Sequence, residues 1–286
     1  MPAGMTQPPP PPDVAAKRDR LLAALAGLPD AVVALSGGVD SGLVAKAAAV
    51  ALGSRAVAVT ADSPSVARRD LQAARELAAF VGIRHVVVEP GEFADPAYRA
   101  NAGDRCYHCK SHLYAAVFAL PEFAGWVVCS GANADDTGDY RPGLTAAAER
   151  GVRHPLQEAG FTKADVRALA RWWGLPNADK PASPCLSSRL APGVPVTPER
   201  TARVEAAEDY LRSLGVADCR VRYHDGDLAR VEVPPADLPR VATPEVAAAL
   251  RRLGFRFVTL DLDGLRSGSM NELVPLAVRT RFPVPR

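Results

Sequence analysis

Residues 31–41 read AVVALSGGVDS, a short apolar run that stops abruptly at Ser36, Gly37, Gly38, Val39, Asp40 and Ser41. An apolar run of this length bounded by glycines reads as a strand buried on both faces. The small residues that follow, through about Leu52, read as a helix. A strand running into two glycines and then a helix is an anion-binding arrangement. The glycines permit a tight turn and close approach of backbone amides. The helix N-terminus adds free N–H groups and a favourable field. The hydroxyls of Ser36 and Ser41 can donate to phosphate oxygens. A carboxylate such as Asp40 beside phosphates makes most sense through a bridging magnesium ion. The plain alternative is a strand–helix turn capped by serines, and the full hexapeptide in this setting weighs against it. The pattern is neither the GxxxxGK loop nor the GxGxxG dinucleotide loop.

The same alternation continues outward. A helix pattern covers 14–27. A second strand ends near Thr60, a helix follows over 65–81, and RHVVVE at 84–89 is a third strand. Residues 112–120 read as a helix, GWVVCSG at 125–131 as a fourth strand, and 162–174 as a helix with Thr162 as its cap. Strands alternating with helices imply an α/β fold with a mostly parallel sheet covered on both faces. Ligands in such sheets sit beyond the carboxyl ends of the strands. SGGVDS, TADS and SGANADD all fall there, so three polar segments converge on one rim. After a proline-rich loop at 176–197, the order helix, strand, strand, helix, strand predicts a smaller α+β unit. The expected domains are a proline-rich disordered tail (1–13), the parallel-sheet domain (14–190), and a substrate-binding and oligomerisation domain (191–286).

Composition narrows the function. Lys plus Arg is 34 against 32 Asp plus Glu, so no global field calls for nucleic acid or an acidic membrane. No apolar run has the length of a membrane span. The opening MPAGMTQPPPPPD lacks the basic and apolar regions of a signal peptide, and its proline run favours extended polyproline structure. The expected address is cytoplasmic. The five cysteines are odd in number and do not form a disulfide framework.

The hexapeptide resembles the SGGxDS signature of PP-loop ATP pyrophosphatases. That resemblance implies cleavage of ATP to AMP and pyrophosphate with adenylation of an acceptor oxygen. Thr60, Ala61 and Asp62 then fall where the class holds adenosine, and Gly131, Asn133 and Asp135 on the next rim segment. For Asp135 and Asp136 a solvated loop with Asx caps is the bland alternative. RCYHCK at 105–110, GANADDTGDYRPG at 131–143, HPL at 154–156, DKPASPCLSSRL at 179–190 and LDLDGLRSGSMNE at 260–272 together resemble the LarE family. The similarity covers nearly everything after the tail. It implies an ATP-dependent sulfur transferase that adenylates the carboxylates of pyridinium-3,5-biscarboxylic acid mononucleotide and converts them to thiocarboxylates. The product serves the nickel-pincer nucleotide cofactor. It also implies a homo-oligomer, hexameric in known members, and a supply of sulfide or another sulfur donor.

The cysteines admit several readings. Cys185 lies beside Ser188 and Arg189, and Arg189 can lower a thiol pKa or orient the substrate. The family resemblance implies that Cys185 can be sacrificed, its sulfur passing to the activated carboxylate and leaving dehydroalanine. The resemblance also implies, for some members, a four-iron, four-sulfur cluster on three cysteines, here Cys106, Cys109 and Cys185; this is the preferred expectation. Zinc with His108 or His112, a redox pair, and plain thiols compete. Cys129 and Cys219 read as core.

Arg220 and Arg222 share one strand face and are expected to bind the substrate phosphate; Arg230 and Glu232 form a similar set, and a solvated face explains all four equally well. Arg141 lies on a loop able to reach the rim, or pairs with Asp139. The resemblance implies a metal or phosphate site in the oligomer at Glu208, with Asp237. His154 touches nucleotide or packs, and at least one of Trp172 and Trp173 is core. ATP-dependent amidation, tRNA thiolation and a non-enzymatic nucleotide-binding assembly role are the competing functions.

Overall fold

The computed structural model describes residues 10–136, 141–266 and 269–281. Asp139 and parts of the quoted 131–143 and 260–272 segments lie outside the described residues. Helix α1 (Pro12–Ala26) precedes β1 (Ala31–Ala34), α2 (Val39–Leu52), β2 (Ala56–Ala61), α3 (Arg68–Val81) and β3 (Arg84–Val88). Then come α4 (Pro96–Ala100), α5 (Arg105–Phe118), β4 (Val127–Cys129), α6 (Pro142–Glu149), α7 (Pro155–Glu158) and α8 (Lys163–Trp172). The strands form one parallel sheet in the order β3-β2-β1-β4. Chain order reverses beside β1, so the crevice between the ends of β1 and β4 is the topological switch point at which ligands sit.

The Ala/Val strands are buried because both faces are covered. One face, with Ala31, Val33, Ala56 and Ala58, packs on α1, α2, α3 and α8. The other, with Val32, Val57 and Val59, packs on Leu113, Tyr114 and Val117 of α5 and Ala147 of α6. Helix α2 is apolar on nearly all sides, and it is sandwiched between the sheet and neighbouring helices, as such a helix requires. Helix α8 starts with a capping box. Thr162 caps the N–H of Asp165 while Asp165 accepts from the N–H of Thr162.

The second unit contains α9 (Pro198–Ser213), β5 (Arg220–His224), β6 (Leu228–Glu232), α10 (Leu238–Val241), α11 (Pro244–Arg252), β7 (Phe257–Leu260) and α12 (Leu276–Arg279). Its sheet runs β5-β6-β7, antiparallel then parallel. Its core also takes in Ala67, Tyr98 and Leu186 from the earlier part of the chain. No helix among the described residues is long and apolar enough to cross a membrane.

One helix differs from expectation. The segment read as helical over 112–120 begins already at Arg105, so Cys106 and Cys109 lie in the first turns of α5. RCYHCKS carries no apolar period, and this stretch is recruited by packing of the later turns.

Candidate functional site

The SGGVDS turn closes on itself. Ser36 N–H donates to Ser41 Oγ at 3.2 Å, the two hydroxyls lie 3.1 Å apart, and Ser41 Oγ donates to the Gly38 carbonyl at 3.2 Å. Gly37 has φ +75°, and a Cβ there would stand 3.2 Å from Ala74 N and the Asp70 carbonyl of α3. A side chain is therefore excluded by conformation and by contact. Gly131, at the end of β4, lies still closer: a Cβ would come within 2.6 Å of Ser41 N.

That contact seats the β4 rim on the loop. Asp40 Oδ1 accepts from Asn133 Nδ2 at 3.1 Å, and Lys163 Nζ at the start of α8 donates to Asp40 Oδ2. Asp135 accepts from the Lys163 N–H at 2.7 Å and gives its own N–H to Asn133 Oδ1 at 2.9 Å. Asp136 accepts from Asn133 N–H and pairs with Arg141 at 2.8 Å. The structure thus brings Gly131, Asn133, Asp135 and Asp40 together. The third rim segment is placed differently. Thr60 is buried, donating to the Leu35 carbonyl at 2.7 Å and contacting His85 Nε2 at 2.7 Å. Asp62 pairs with Arg68 at 2.6 Å.

A cleft of about 210 Å³ opens over the loop, between Ser36, Gly38 and Asp40 on one side and Lys163, Lys180 and the 181–184 segment on the other. Two ammonium groups face the anion-binding turn there. Lys180 is held by Asp70 at 2.9 Å, and Ser183 Oγ donates to the same carboxylate at 3.1 Å. Asn177 Nδ2 donates to the Gly37 carbonyl at 3.3 Å. Sequence reasoning missed Lys163, Lys180, Asp70 and Asn177. Lysines just past a predicted cap and inside DKPASPC were the available signal.

The segment lining this cleft leads directly into Cys185. Arg189, 1% exposed, clamps the turn from beneath. Nη1 donates to the carbonyls of Pro184 and Cys185, the latter at 3.0 Å, and to Ser188 Oγ at 3.2 Å. Nε and Nη2 donate to the fully buried Glu208 at 2.9 and 3.3 Å. Leu186 N–H donates to the Ser65 carbonyl at 2.8 Å, and Ser187 Oγ meets Tyr98 OH at 2.8 Å. The Arg189 guanidinium therefore lies against the loop's backbone.

Cys106, Cys109 and Cys185 share one neighbourhood with Arg105, Lys110 and Tyr98. Burial pushes the Cys109 thiol up to about 12; Cys185, Cys106 and Glu92 add to this and Lys110 opposes it. Burial disfavours the charges of Arg105 and Lys110, but the surrounding cysteines help turn both pKa values upward. Burial also pushes Cys129 and Cys219 up to about 12.

This neighbourhood is not a metal centre. Among the described residues, no group of three or more His, Cys, Asp or Glu side chains is arranged to hold a metal ion. The expected four-iron, four-sulfur cluster on Cys106, Cys109 and Cys185 is therefore corrected. Cys106 is exposed on α5, Cys109 packs partly into the second core, and Cys185 sits on the loop clamped by Arg189. The zinc alternative falls with it, since His108 and His112 face Asp95 at 3.6 and 3.0 Å. Magnesium at Asp40 is corrected too: the Lys163 ammonium stands against that carboxylate. Glu208 and Asp237, expected to form a metal or phosphate site in the oligomer, belong to no group arranged for a metal ion among the described residues of one chain. Glu208 is engaged by Arg189, by Arg212 at 2.8 Å and by Arg69 at 3.6 Å, and Asp237 pairs with Arg240.

Arg222 is nearly buried, with Nε and Nη2 on Glu232 at 2.9 and 2.8 Å. Arg220 donates to the Ala182 carbonyl at 2.9 Å, on the cleft-lining segment. Burial, reinforced by neighbouring Arg189, draws its pKa down. His154 Nδ1 contacts Ser130 Oγ at 2.7 Å, and burial holds its pKa below the usual imidazole value.

Residues 25–110 match a family model described as asparagine synthase. The chain is 46% identical over 249 residues to an uncharacterised protein of Synechocystis, spanning 85% of this chain and 92% of that one. It is 41% identical over 273 residues to the pyridinium-3,5-bisthiocarboxylic acid mononucleotide synthase of Lactiplantibacillus plantarum, spanning 94% and 99%. An uncharacterised protein of Methanocaldococcus jannaschii is 28% identical over 170 residues, spanning 58% and 66%.

Proposed function

Because the chain belongs to the LarE family of PP-loop ATP pyrophosphatases, we propose that it uses ATP to activate a carboxylate of a pyridinium mononucleotide and replaces the carboxylate oxygen with the sulfur of Cys185. The chain is an ATP-dependent enzyme; the substrate and the sulfur source are the proposal. The observation that carries it is the continuity between cleft and cysteine. Residues 181–184 line the wall facing Ser36, Gly38 and Asp40, and the next residue is Cys185.

The steps follow from the chemistry of the groups. Carboxylate oxygen is a poor leaving group. Its attack on the α-phosphorus of ATP forms an acyl adenylate and releases pyrophosphate, whose charge the loop amides, Lys163 and Lys180 are placed to stabilise. The Cys185 thiolate attacks the acyl carbon and AMP departs with the C–O bond electrons. The resulting thioester loses a proton from Cα of Cys185 as the Cβ–S bond breaks. The sulfur leaves as thiocarboxylate, and Cys185 becomes dehydroalanine. Arg189 acts through the loop: it fixes the Pro184 and Cys185 carbonyls and so the direction of the thiol.

A single-turnover incubation with ATP and pyridinium-3,5-biscarboxylic acid mononucleotide tests this. Each thiocarboxylate formed is matched by loss of the elements of hydrogen sulfide from Cys185, read by peptide mass. Product formation with Cys185 intact rules the proposal out.

A further inference from the structure

Residues 180–185, KPASPC, run along the cleft wall without regular secondary structure, and 181–184 are exposed. A segment this open keeps one course only where side chains from the body of the fold hold it. Arg220 holds its middle, donating to the Ala182 carbonyl at 2.9 Å. Arg189 holds its far end at the Cys185 carbonyl. Two more anchors come from a single carboxylate. Asp70 Oδ1 accepts from Lys180 Nζ at 2.9 Å, and Asp70 Oδ2 accepts from Ser183 Oγ at 3.1 Å. The Asp70 side chain is 15% exposed, so water does not freely replace either partner.

Asp70 stands in the first turn of α3, and that turn also bears on the SGGVDS loop. A Cβ at Gly37 would meet the Asp70 carbonyl at 3.2 Å, and Lys180 Nζ lies 3.5 Å from the Gly37 carbonyl. One residue therefore touches both the anion-binding turn and the segment that carries the thiol. The chain between anchor and thiol is stiff. Proline fixes φ at 181 and 184, and the residue before a proline is pushed to extended backbone. Those preceding residues are Lys180 and Ser183, the two that Asp70 holds. Fixing the Ser183 hydroxyl thus sets the course of the chain to Cys185, two residues on.

We infer that Asp70 is a positioning residue for sulfur transfer, holding the Cys185 segment in register with the SGGVDS loop so that the acyl adenylate meets the thiol before it meets water. The inference rests on the reading of Cys185 as sulfur donor. Asp70 itself touches no reacting atom. When the segment is loosened, water attacks the acyl carbon instead. AMP departs with the C–O bond electrons, the carboxylate is regenerated, and ATP is consumed without sulfur transfer.

Single-turnover reactions with ATP and pyridinium-3,5-biscarboxylic acid mononucleotide test this, reading thiocarboxylate formed per pyrophosphate released. The unaltered chain is compared with Asp70→Asn, Ser183→Ala and Ser183→Thr. The ratio does not depend on the fraction of chain that is folded, so a merely structural role leaves it unmoved. Asp70→Asn is expected to lower it about tenfold and Ser183→Ala about threefold, through misplacement of the thiol. Ser183→Thr keeps the hydroxyl and is expected to restore it. Alkylation of Cys185 by iodoacetamide, timed by peptide mass, needs no turnover. Asp70→Asn and Ser183→Ala are expected to react about threefold faster than the unaltered chain, because the segment opens more often. Should Asp70→Asn fail to fold, the two serine variants decide. An unchanged ratio or an unchanged alkylation rate in the folded variants, or equal losses in Ser183→Thr and Ser183→Ala, overturns the inference. An unaltered chain that forms no thiocarboxylate overturns the sulfur-donor reading instead, and the alkylation rates then decide whether Asp70 holds the segment.

Discussion

Replacing Arg189 with methionine removes the clamp beneath Cys185 while roughly keeping the stem's volume. The guanidinium is 1% exposed and Glu208 is fully buried, so the perturbation falls where water does not replace the lost partner. Breaking a buried ion pair costs about 3–5 kcal/mol. Here Glu208 keeps Arg212 at 2.8 Å, Arg69 at 3.6 Å and the Val221 N–H at 3.3 Å, so the charge is not left bare. The expected loss is therefore at the lower end, about 3 kcal/mol. The Pro184 and Cys185 carbonyls also lose their donor, but their loop is part-exposed and water offsets most of that. Urea unfolding of the purified chain reads the loss. Glu208→Gln alone and with Arg189→Met completes a cycle, with an expected coupling of about 2 kcal/mol. A loss below about 1 kcal/mol, or additivity in the double variant, would refute the clamp. The same variant should form AMP and pyrophosphate yet transfer sulfur poorly, because only the thiol's placement has been disturbed.

Four further outcomes follow from individual contacts. Gly131→Ala places a methyl 2.6 Å from Ser41 N and 2.9 Å from Ser41 Cα; it should destabilise by about 1–3 kcal/mol and raise the KM for ATP. Gly38→Ala, whose Cβ meets nothing nearer than Ser36 Oγ at 3.4 Å, should leave stability nearly unchanged in the same melt. Burial alone would raise the pKa of Asp165, but bonds from Lys17 and Thr162 outweigh it and hold the carboxyl below its usual range. Its contribution is complete above about pH 3.9 and is lost as pH falls through the lower folded value. Asp165→Asn should therefore cost about 1 kcal/mol at neutral pH and progressively less in acid, and an unchanged deficit at low pH would contradict the assignment. Cys109, with its thiol pushed up to about 12, should be alkylated more slowly at pH 8 than exposed Cys106, as timed peptide mapping reports; equal rates would contradict it.

Much of the first sheet was legible because its signals are local. AVVAL followed by SGGVDS gives strand, turn and helix, and the glycines mark the places where backbone meets backbone. Convergence of the β4 rim on the loop followed from parallel topology, and Gly131 against Ser41 is its physical form. The roles of polar side chains were less legible because pairing partners lie far away in sequence. Arg189 reads as a substrate ligand until Glu208, on α9, fixes it beneath the loop. Thr60 reads as a nucleoside contact until Leu35 and His85 take its hydroxyl. Arg222 reads as a phosphate ligand until Glu232, across the strand pair, occupies it. Three cysteines read as a cluster, and the fold does bring them into one neighbourhood, yet among the described residues they form no group arranged to hold a metal ion, which spacing along the chain does not decide.

The account turns on whether sulfur leaves Cys185 itself. The most direct measurement incubates purified chain with excess pyridinium-3,5-biscarboxylic acid mononucleotide and ATP as its magnesium salt, without added sulfide. Thiocarboxylate and the mass of the Cys185 peptide are quantified together over time. The account predicts that product stops at a level equal to the dehydroalanine formed at Cys185, and that Cys185→Ser releases pyrophosphate without making thiocarboxylate. Product that continues to accumulate while Cys185 stays intact, or sulfur transfer by Cys185→Ser, would contradict it.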